Sequence, residues 1–158
     1  RIESGNMSFN YEECSAHQFI ETVYQTHQVL ILPPLEFLKD FPNEDVMIRI
    51  DRMRLTQVIT NFLGNAKKFT HKGHIKLGYF CNKEKKEVHI FVEDTGPGIP
   101  KEELQMIFER FYKRNEFVQG VGLGLSISKI IIERMDGHIE VQSEINKGSR
   151  FTVVLPYL

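Results

Sequence analysis

The chain has no tryptophan, two cysteines among 158 residues, and a formal net charge of −1 from 20 Lys plus Arg against 21 Asp plus Glu. A balance that close leaves no global field to draw the chain onto nucleic acid or an anionic membrane, so a polyanion would have to be recognised locally. Cys14 and Cys81 are far apart, with neither CxxC spacing nor a histidine cluster beside them. That excludes a disulfide framework and a zinc site, and fits a reducing cytoplasm. The most apolar run, "VLILPPLEFL", is broken by Pro33 and Pro34, whereas a membrane span needs about 20 continuous apolar residues. Neither an initiating Met nor a signal-peptide pattern opens the chain at "RIESGN", so a segment of a longer protein is expected.

What is present is enough apolar residue, 41%, for one domain with its own core. No repeat or low-complexity stretch interrupts it, and helical and period-two patterns alternate, as in a layered α/β or α+β domain. The N-terminal third is the least legible. Ser15 is positioned to cap a helix through about His27, with Phe19, Ile20, Val23 and Tyr24 as its apolar stripe. "VMIRI" reads as a strand. From Asp51 the residues Leu55, Val58, Ile59, Phe62, Ala66 and Phe69 recur at helical steps until "HKG". "HIKLGYFC" and "VHIFVED" alternate as two strands of a hairpin around "NKEKKE". "KEELQMIFERFY" has a helical pattern, "GLGLSISKIIIERM" starts another helix that ends near Gly137, and "HIEVQS" and "SRFTVVLP" are final strands around "EINKG".

Three stretches carry residues suited to chemistry. Asn61, Asn65 and Lys68 stand at i, i+4 and i+7 on one helix face, beside the apolar stripe. A solvated surface explains them. So does a site in which an amide oxygen meets Mg²⁺, a hard cation commonly shared with substrate phosphates, and a lysine one turn on meets phosphate oxygen. In "GVGLGLS", Gly120, Gly122 and Gly124 precede a helix, where free N–H groups and the dipole favour an anion. Glycines for a flexible, closely packed helix start are the alternative. The run follows no strand and lacks GxxxxGK[ST], so it is neither a Rossmann fingerprint nor a P-loop. In "DTGPGIP", Asp94 at a strand end can accept from an exocyclic amine, Gly96 and Gly98 let backbone approach a flat ring, and Ile99 offers it an apolar face. An adenine suits that set, and so does an ordinary tight turn.

Taken in order, these stretches resemble the catalytic and ATP-binding domain of sensor histidine kinases, within the Bergerat-fold ATPases. "RLTQVITNFLGNAKKFT" is similar to the N box, "DTGPGIP" to the first glycine box, and "IFERFY" to the F box. "GVGLGLS" is similar to the second glycine box, and "GSRFTVVLP" to the closing glycine strand. The resemblance covers nearly the whole chain. It implies a two-layer α/β (α+β) sandwich: a mixed sheet covered on one face by about three helices, with a mobile ATP lid from about Phe111 to Gly122. "RIESG" resembles the end of the preceding phosphotransfer-domain helix, which gives residues 1–5 to that helix and 6–158 to the catalytic domain. The resemblance further implies that Asn65 holds Mg²⁺, with Asn61 beside it and Lys68 and Lys113 on phosphate. Phe69 would be an aromatic wall, Asp94 would bind the adenine amine, and Gly96, Gly98 and Ile99 would line the base. Gly120, Val121, Gly122, Leu123, Gly124 and Leu125 would surround the phosphates. Val121 stands where Thr is usual and Lys113 where Arg is frequent, which puts detail of the lid in question.

Gyrase-like and chaperone-like relatives in this superfamily place a Glu general base four residues before the metal-binding Asn, and here that position is Asn61. An amide cannot take a proton from water at neutral pH, which favours γ-phosphate transfer over hydrolysis. The expected function is therefore an ATP-dependent protein-histidine kinase domain in two-component signalling. A gyrase-like ATPase and a catalytically silent ATP-binding docking module are the rivals. None of the six histidines lies in a phosphoacceptor context or at metal-ligand spacing. The expected partners are an upstream dimerisation and phosphotransfer domain and a response-regulator receiver domain, in a homodimeric parent. No nucleic acid and no membrane contact by this segment are expected, and membrane anchoring of the parent is left open.

Overall fold

The computed structural model describes residues 8–109 and 124–158. Residues 8–11 reach the domain through side chains that neighbouring elements meet. The Asn10 N–H donates to Asp51 Oδ2 at 2.8 Å, the Tyr11 hydroxyl donates to the Arg134 carbonyl at 2.7 Å, and the Arg134 guanidinium lies 4.8 Å from the Phe9 ring centre. The boundary expected after residue 5 lies outside the described residues.

Strand β1 (Glu12–Ser15) runs into helix α1 (Ala16–Gln28). Ser15 caps that helix by accepting the Gln18 N–H at 3.0 Å, and its own hydroxyl donates to Asp45. Phe19, Ile20, Val23 and Tyr24 are buried, as their spacing predicts. Strand β2 (Leu35–Asp40) follows, then β3 (Met47–Ile50), which pairs antiparallel with β1 in a small separate sheet. Helix α2 (Arg52–Phe69) starts at the buried cap Asp51, which accepts the Arg54 N–H at 3.0 Å. It ends with Lys67 and Lys68 in a last turn where cations complement the dipole.

Strands β4 (Gly73–Asn82) and β5 (Glu87–Asp94) form the expected hairpin. Helix α3 (Gly124–Arg134) and strands β6 (His138–Glu144) and β7 (Gly148–Pro156) complete the described elements. The main sheet has the order β2-β4-β5-β7-β6, with β2 parallel to β4 and the other pairs antiparallel. It is the mixed sheet expected, packed on three helices. The sequence reading contained neither β1 nor β2. "EECS" is short and polar, and "LEFLKD" follows two prolines, so both owe their strand conformation to partners distant in the chain. "KEELQMIFE" is also not the helix its pattern suggested. Residues 101–109 form successive turns closed by i→i−3 bonds, such as Glu103 N to Pro100 O at 2.9 Å and Met106 N to Glu103 O at 2.9 Å. One residue, Ile107, anchors them in place of a buried stripe, and Met106 is exposed.

One face of the sheet is the core. Leu77 opposes Val92, Tyr79 opposes Ile90, Ile90 opposes Val153, and Val88 opposes Leu155, all at most 2% exposed. Each such aliphatic side chain stabilises the fold by about 1.5–3 kcal/mol on burial. Tyr79 keeps its hydroxyl satisfied by donating to the Glu44 carbonyl at 2.9 Å, and burial, with Asp45 nearby, pushes its pKa up to about 12. The other face carries a charged row. Lys76, Glu93 and Arg150 align across β4, β5 and β7, and the Arg150 guanidinium lies 3.9 Å from the Phe91 ring centre.

Candidate nucleotide site

Two neighbouring acids close β5, and the fold gives them different surroundings. Glu93 takes two hydrogen bonds from Arg150, Nε at 3.0 Å and Nη2 at 2.7 Å, with Lys76 and His74 each 3.8 Å away. Burial works against its charge, but the Arg150 bonds and the charges of Arg150 and Lys76 outweigh it, so the carboxyl is held below the usual carboxylate range. Asp94 faces the other way. Its Oδ1 accepts the Gly96 N–H at 2.8 Å. A Cβ on Gly96 would lie 2.8 Å from Thr70 Oγ1, 3.0 Å from Asp94 Oδ1 and 3.1 Å from the Phe69 carbonyl. The strand end, the glycine and the C-terminal end of α2 therefore converge so closely that a glycine fits best between them.

Thr70 was not among the residues singled out from sequence. It caps α2, its N–H donating to the Ala66 carbonyl at 2.9 Å. Its Oγ1 is buried and, in the described structure, has no hydrogen-bond partner. An orphaned buried hydroxyl beside a carboxylate is costly unless something polar completes it. A flat heterocycle with an exocyclic amine fits that need. The sequence signal for Thr70 was its place after Phe69, as the last residue of the stretch similar to the N box.

Behind Gly96 the loop turns on Gly98, whose φ of 79° suits glycine and whose α-carbon lies against the Glu144 carbonyl. Ile99 is 4% exposed, and its N–H donates to Ser143 Oγ at 2.6 Å. The stretch "DTGPGIP" thus bends at Gly96 and is braced against the β6–β7 turn.

On α2, Asn61 and Asn65 are half-buried and Lys68 is exposed, on a face adjoining the buried stripe. Asn61 meets the start of α3: its Nδ2 donates to Ser128 Oγ at 3.4 Å, and a Cβ on Gly124 would run into the Asn61 amide. Ser128 Oγ donates in turn to the Gly124 carbonyl at 2.7 Å. Gly124 therefore serves close packing of α3 on α2 at Asn61. Leu125 is half-buried and packs on the core. Lys113, Gly120, Val121, Gly122 and Leu123, and the lid expected from about Phe111 to Gly122, lie outside the described residues.

The structure thus brings Phe69, Asp94 and Gly96 to one end of α2, sets Gly98 and Ile99 against the β6–β7 turn, and places Asn61 and Asn65 along α2 with Gly124 against Asn61. Among the described residues, no group of three His, Cys, Asp or Glu could hold a metal ion. Of the histidines, His27 is buried with Nδ1 3.0 Å from the Val23 carbonyl, and His89 and His138 lie beside Glu87 and Glu140. No helix among the described residues is long and apolar enough to cross a membrane.

Comparison with known proteins agrees with this architecture. Residues 50–158 match the family described as histidine kinase-, DNA gyrase B-, and HSP90-like ATPase. The sensor histidine kinase WalK of Bacillus subtilis (strain 168) is 32% identical over 162 residues, which takes in 99% of this chain and 26% of that protein. The sensor protein SrrB of Staphylococcus aureus is 43% identical over 110 residues, 67% of this chain and 19% of that protein. The chain therefore spans about a quarter or less of these relatives. Among solved structures, full-length ShkA in complex with AMPPNP superposes with a TM-score of 0.85 at 27% identity, covering 96% of this chain and 32% of that one. The catalytic domain of the histidine kinase ThkA superposes at 0.81 and 32% identity, covering 94% and 96%. A mixed five-stranded sheet on three helices, the boxes in their order, and a match over most of the length agree: this chain belongs to the family of histidine kinase-, DNA gyrase B- and HSP90-like ATPases, and within it is similar to the catalytic domains of sensor histidine kinases.

Proposed function

We propose that the chain binds Mg-ATP and transfers its γ-phosphate to a histidine on a separate dimerisation and phosphotransfer domain, in two-component signalling. The observation that carries this reading is the convergence of Asp94, Gly96 and the orphaned Thr70 hydroxyl at the end of the helix that bears Asn61, Asn65 and Lys68. In this reading Asp94 accepts from the adenine amine, Thr70 completes its polar edge, and Gly96, Gly98 and Ile99 admit and cover the ring. Phe69 adds an aromatic wall. Asn65 would hold Mg²⁺, whose chemistry there is to neutralise phosphate charge. Lys68 and Lys113 steer phosphate oxygens, and Gly120, Val121, Gly122, Leu123, Gly124 and Leu125 enclose them. Asn61, packed on Ser128, offers no base to activate water, so the γ-phosphate is kept for an incoming imidazole nitrogen. The chain's contribution is alignment and charge neutralisation.

In the same reading residues 1–5 end the preceding helix and 6–158 form the catalytic domain. The parent is a homodimer, and the acceptor is its own upstream domain, which passes phosphate to a receiver domain. The site works in the cytoplasm. Titration calorimetry with ATP, with and without Mg²⁺, tests the reading. Asp94→Asn should weaken ATP by roughly 1–3 kcal/mol, since the wrong group would face the amine, while circular dichroism stays unchanged. Wild-type affinity in Asp94→Asn would overturn it. A parallel incubation with γ-labelled ATP should label a longer chain that includes the acceptor domain and leave the 158-residue chain unlabelled on histidine.

A further inference from the structure

Three strand ends lie in line behind the loop that follows Asp94. Asp94 on β5 is paired with Ser149 on β7, and Ser149 with Ser143 on β6. The Ser143 Oγ has three partners: the Ile99 N–H at 2.6 Å, Ser149 Oγ at 2.9 Å and the Gly148 carbonyl at 3.1 Å. A hydroxyl has one proton and two lone pairs. One assignment satisfies all three contacts. Ser143 donates its proton to the Gly148 carbonyl and accepts from the Ile99 N–H and the Ser149 hydroxyl. Its whole bonding capacity is then spent on joining the loop to the β6–β7 turn.

The rest of the joint is backbone. The Asn146 N–H donates to the Pro97 carbonyl at 2.7 Å, Gly98 lies against the Glu144 carbonyl, and Gly148 lies against the Asp94 carbonyl. Ser143 supplies the side chain that holds Ile99, and through Gly148 it reaches the residue that covers the Asp94 backbone. We infer that Ser143 is a positioning residue for recognition of the nucleotide base. It acts through Ile99 and Gly148, and it fixes the loop Thr95–Ile99 in the conformation that presents Asp94 and the closely packed Gly96 to the ring. This rests on the reading of that loop as the base site.

Removing Oγ leaves a buried N–H and a serine hydroxyl without their acceptor, and the loop loses its side-chain tether. The consequence should centre on the base end of the site, because the described partners of Ser143 Oγ lie in the loop and the β6–β7 turn. Dissociation constants for Mg-ATP and Mg-GTP, measured on the 158-residue chain as wild type, Ser143→Ala and Ser143→Thr, test it. Amide hydrogen exchange at Ile99 in the nucleotide-free chain is followed alongside. Ser143→Ala should weaken ATP by about tenfold, the scale of one buried hydrogen bond to an aligned group. GTP should change by less than about twofold, so that the preference for adenine shrinks, and Ile99 protection should fall. Ser143→Thr keeps the hydroxyl and should restore both the preference and the protection. Wild-type ATP affinity in Ser143→Ala overturns the inference alone. Equal weakening of ATP and GTP, or a threonine variant that behaves like alanine, overturns it as well, since either marks a general loss of structure. A wild-type chain that binds no ATP overturns both this inference and the reading beneath it.

Discussion

At the Asp94 end two glycines set backbone against backbone and Ser143 tethers the loop, whereas Asn61 is held by side chains on two helices. At the acid end, Gly148 lies against the Asp94 carbonyl and Gly98 against the Glu144 carbonyl, both at positive φ. At the asparagine end, the neighbour of Gly124 is the tip of the Asn61 side chain, which a rotamer change can move. A carbonyl locked in a ladder cannot step aside without breaking its strand, and a side-chain amide can. A methyl added at a glycine of the acid end should therefore cost stability, and one added at Gly124 should cost aim.

The hardest way to break the contrast is Gly148→Ala. A φ of 125° is strained for alanine, and its methyl would run into the Asp94 carbonyl. Strain and displacement together should lower stability by about 3 kcal/mol in urea titration. An unchanged midpoint would show that the β5–β7 end yields as readily as a helix surface. Asn65→Ala tests the other end through its aim: calorimetry should show the gain in ATP affinity from Mg²⁺ falling by roughly 10–100-fold, with the urea midpoint nearly unmoved. Gly124→Ala sharpens the comparison further. Its methyl would press on the Asn61 amide, and alanine is the better helix former by about 1 kcal/mol, so stability should hold while phosphotransfer by the longer chain falls about fivefold, which is about 1 kcal/mol.

The smallest effect concerns the acid that faces away from the site. The Glu93 carboxyl is held below its ordinary value, with burial opposing and Arg150 prevailing. A depressed folded-state value means that the stabilisation is present above the unfolded-state pKa of about 4.3, and is lost as pH falls through the folded-state one. Glu93→Gln should therefore cost less than about 1 kcal/mol at pH 7 for a partly exposed pair, and the difference from wild type should shrink as pH is lowered below roughly 4. A gap that stayed constant over that range would mean that the Glu93–Arg150 pair contributes by packing on Phe91 and not by charge.

Much of this was legible because it is local. The stripe from Leu55 to Ala66, the alternation of Ile75, Leu77 and Tyr79, and the cap Ser15 depend on residues within a few positions of one another, and each formed where the pattern put it. The helical pattern in "KEELQMIFE" failed for the complementary reason. Ile107 alone is fully buried there, so packing gave no stripe to override the tighter turns that follow Pro100.

By itself, then, the sequence determined which residue types stand at the candidate site and in what order, because box residues are fixed by chain position. It also determined that Asn61 and Asn65 share a helix face, because 3.6 residues make a turn. Only the tertiary structure decided that Glu93 turns to Arg150 while Asp94 turns to Gly96, that β2 joins the sheet beside β4, and that Ser143 holds Ile99. Those outcomes depend on which strand ends meet across long stretches of chain. Register sets that, and shifting a strand by a single residue would turn each of these side chains to the opposite face.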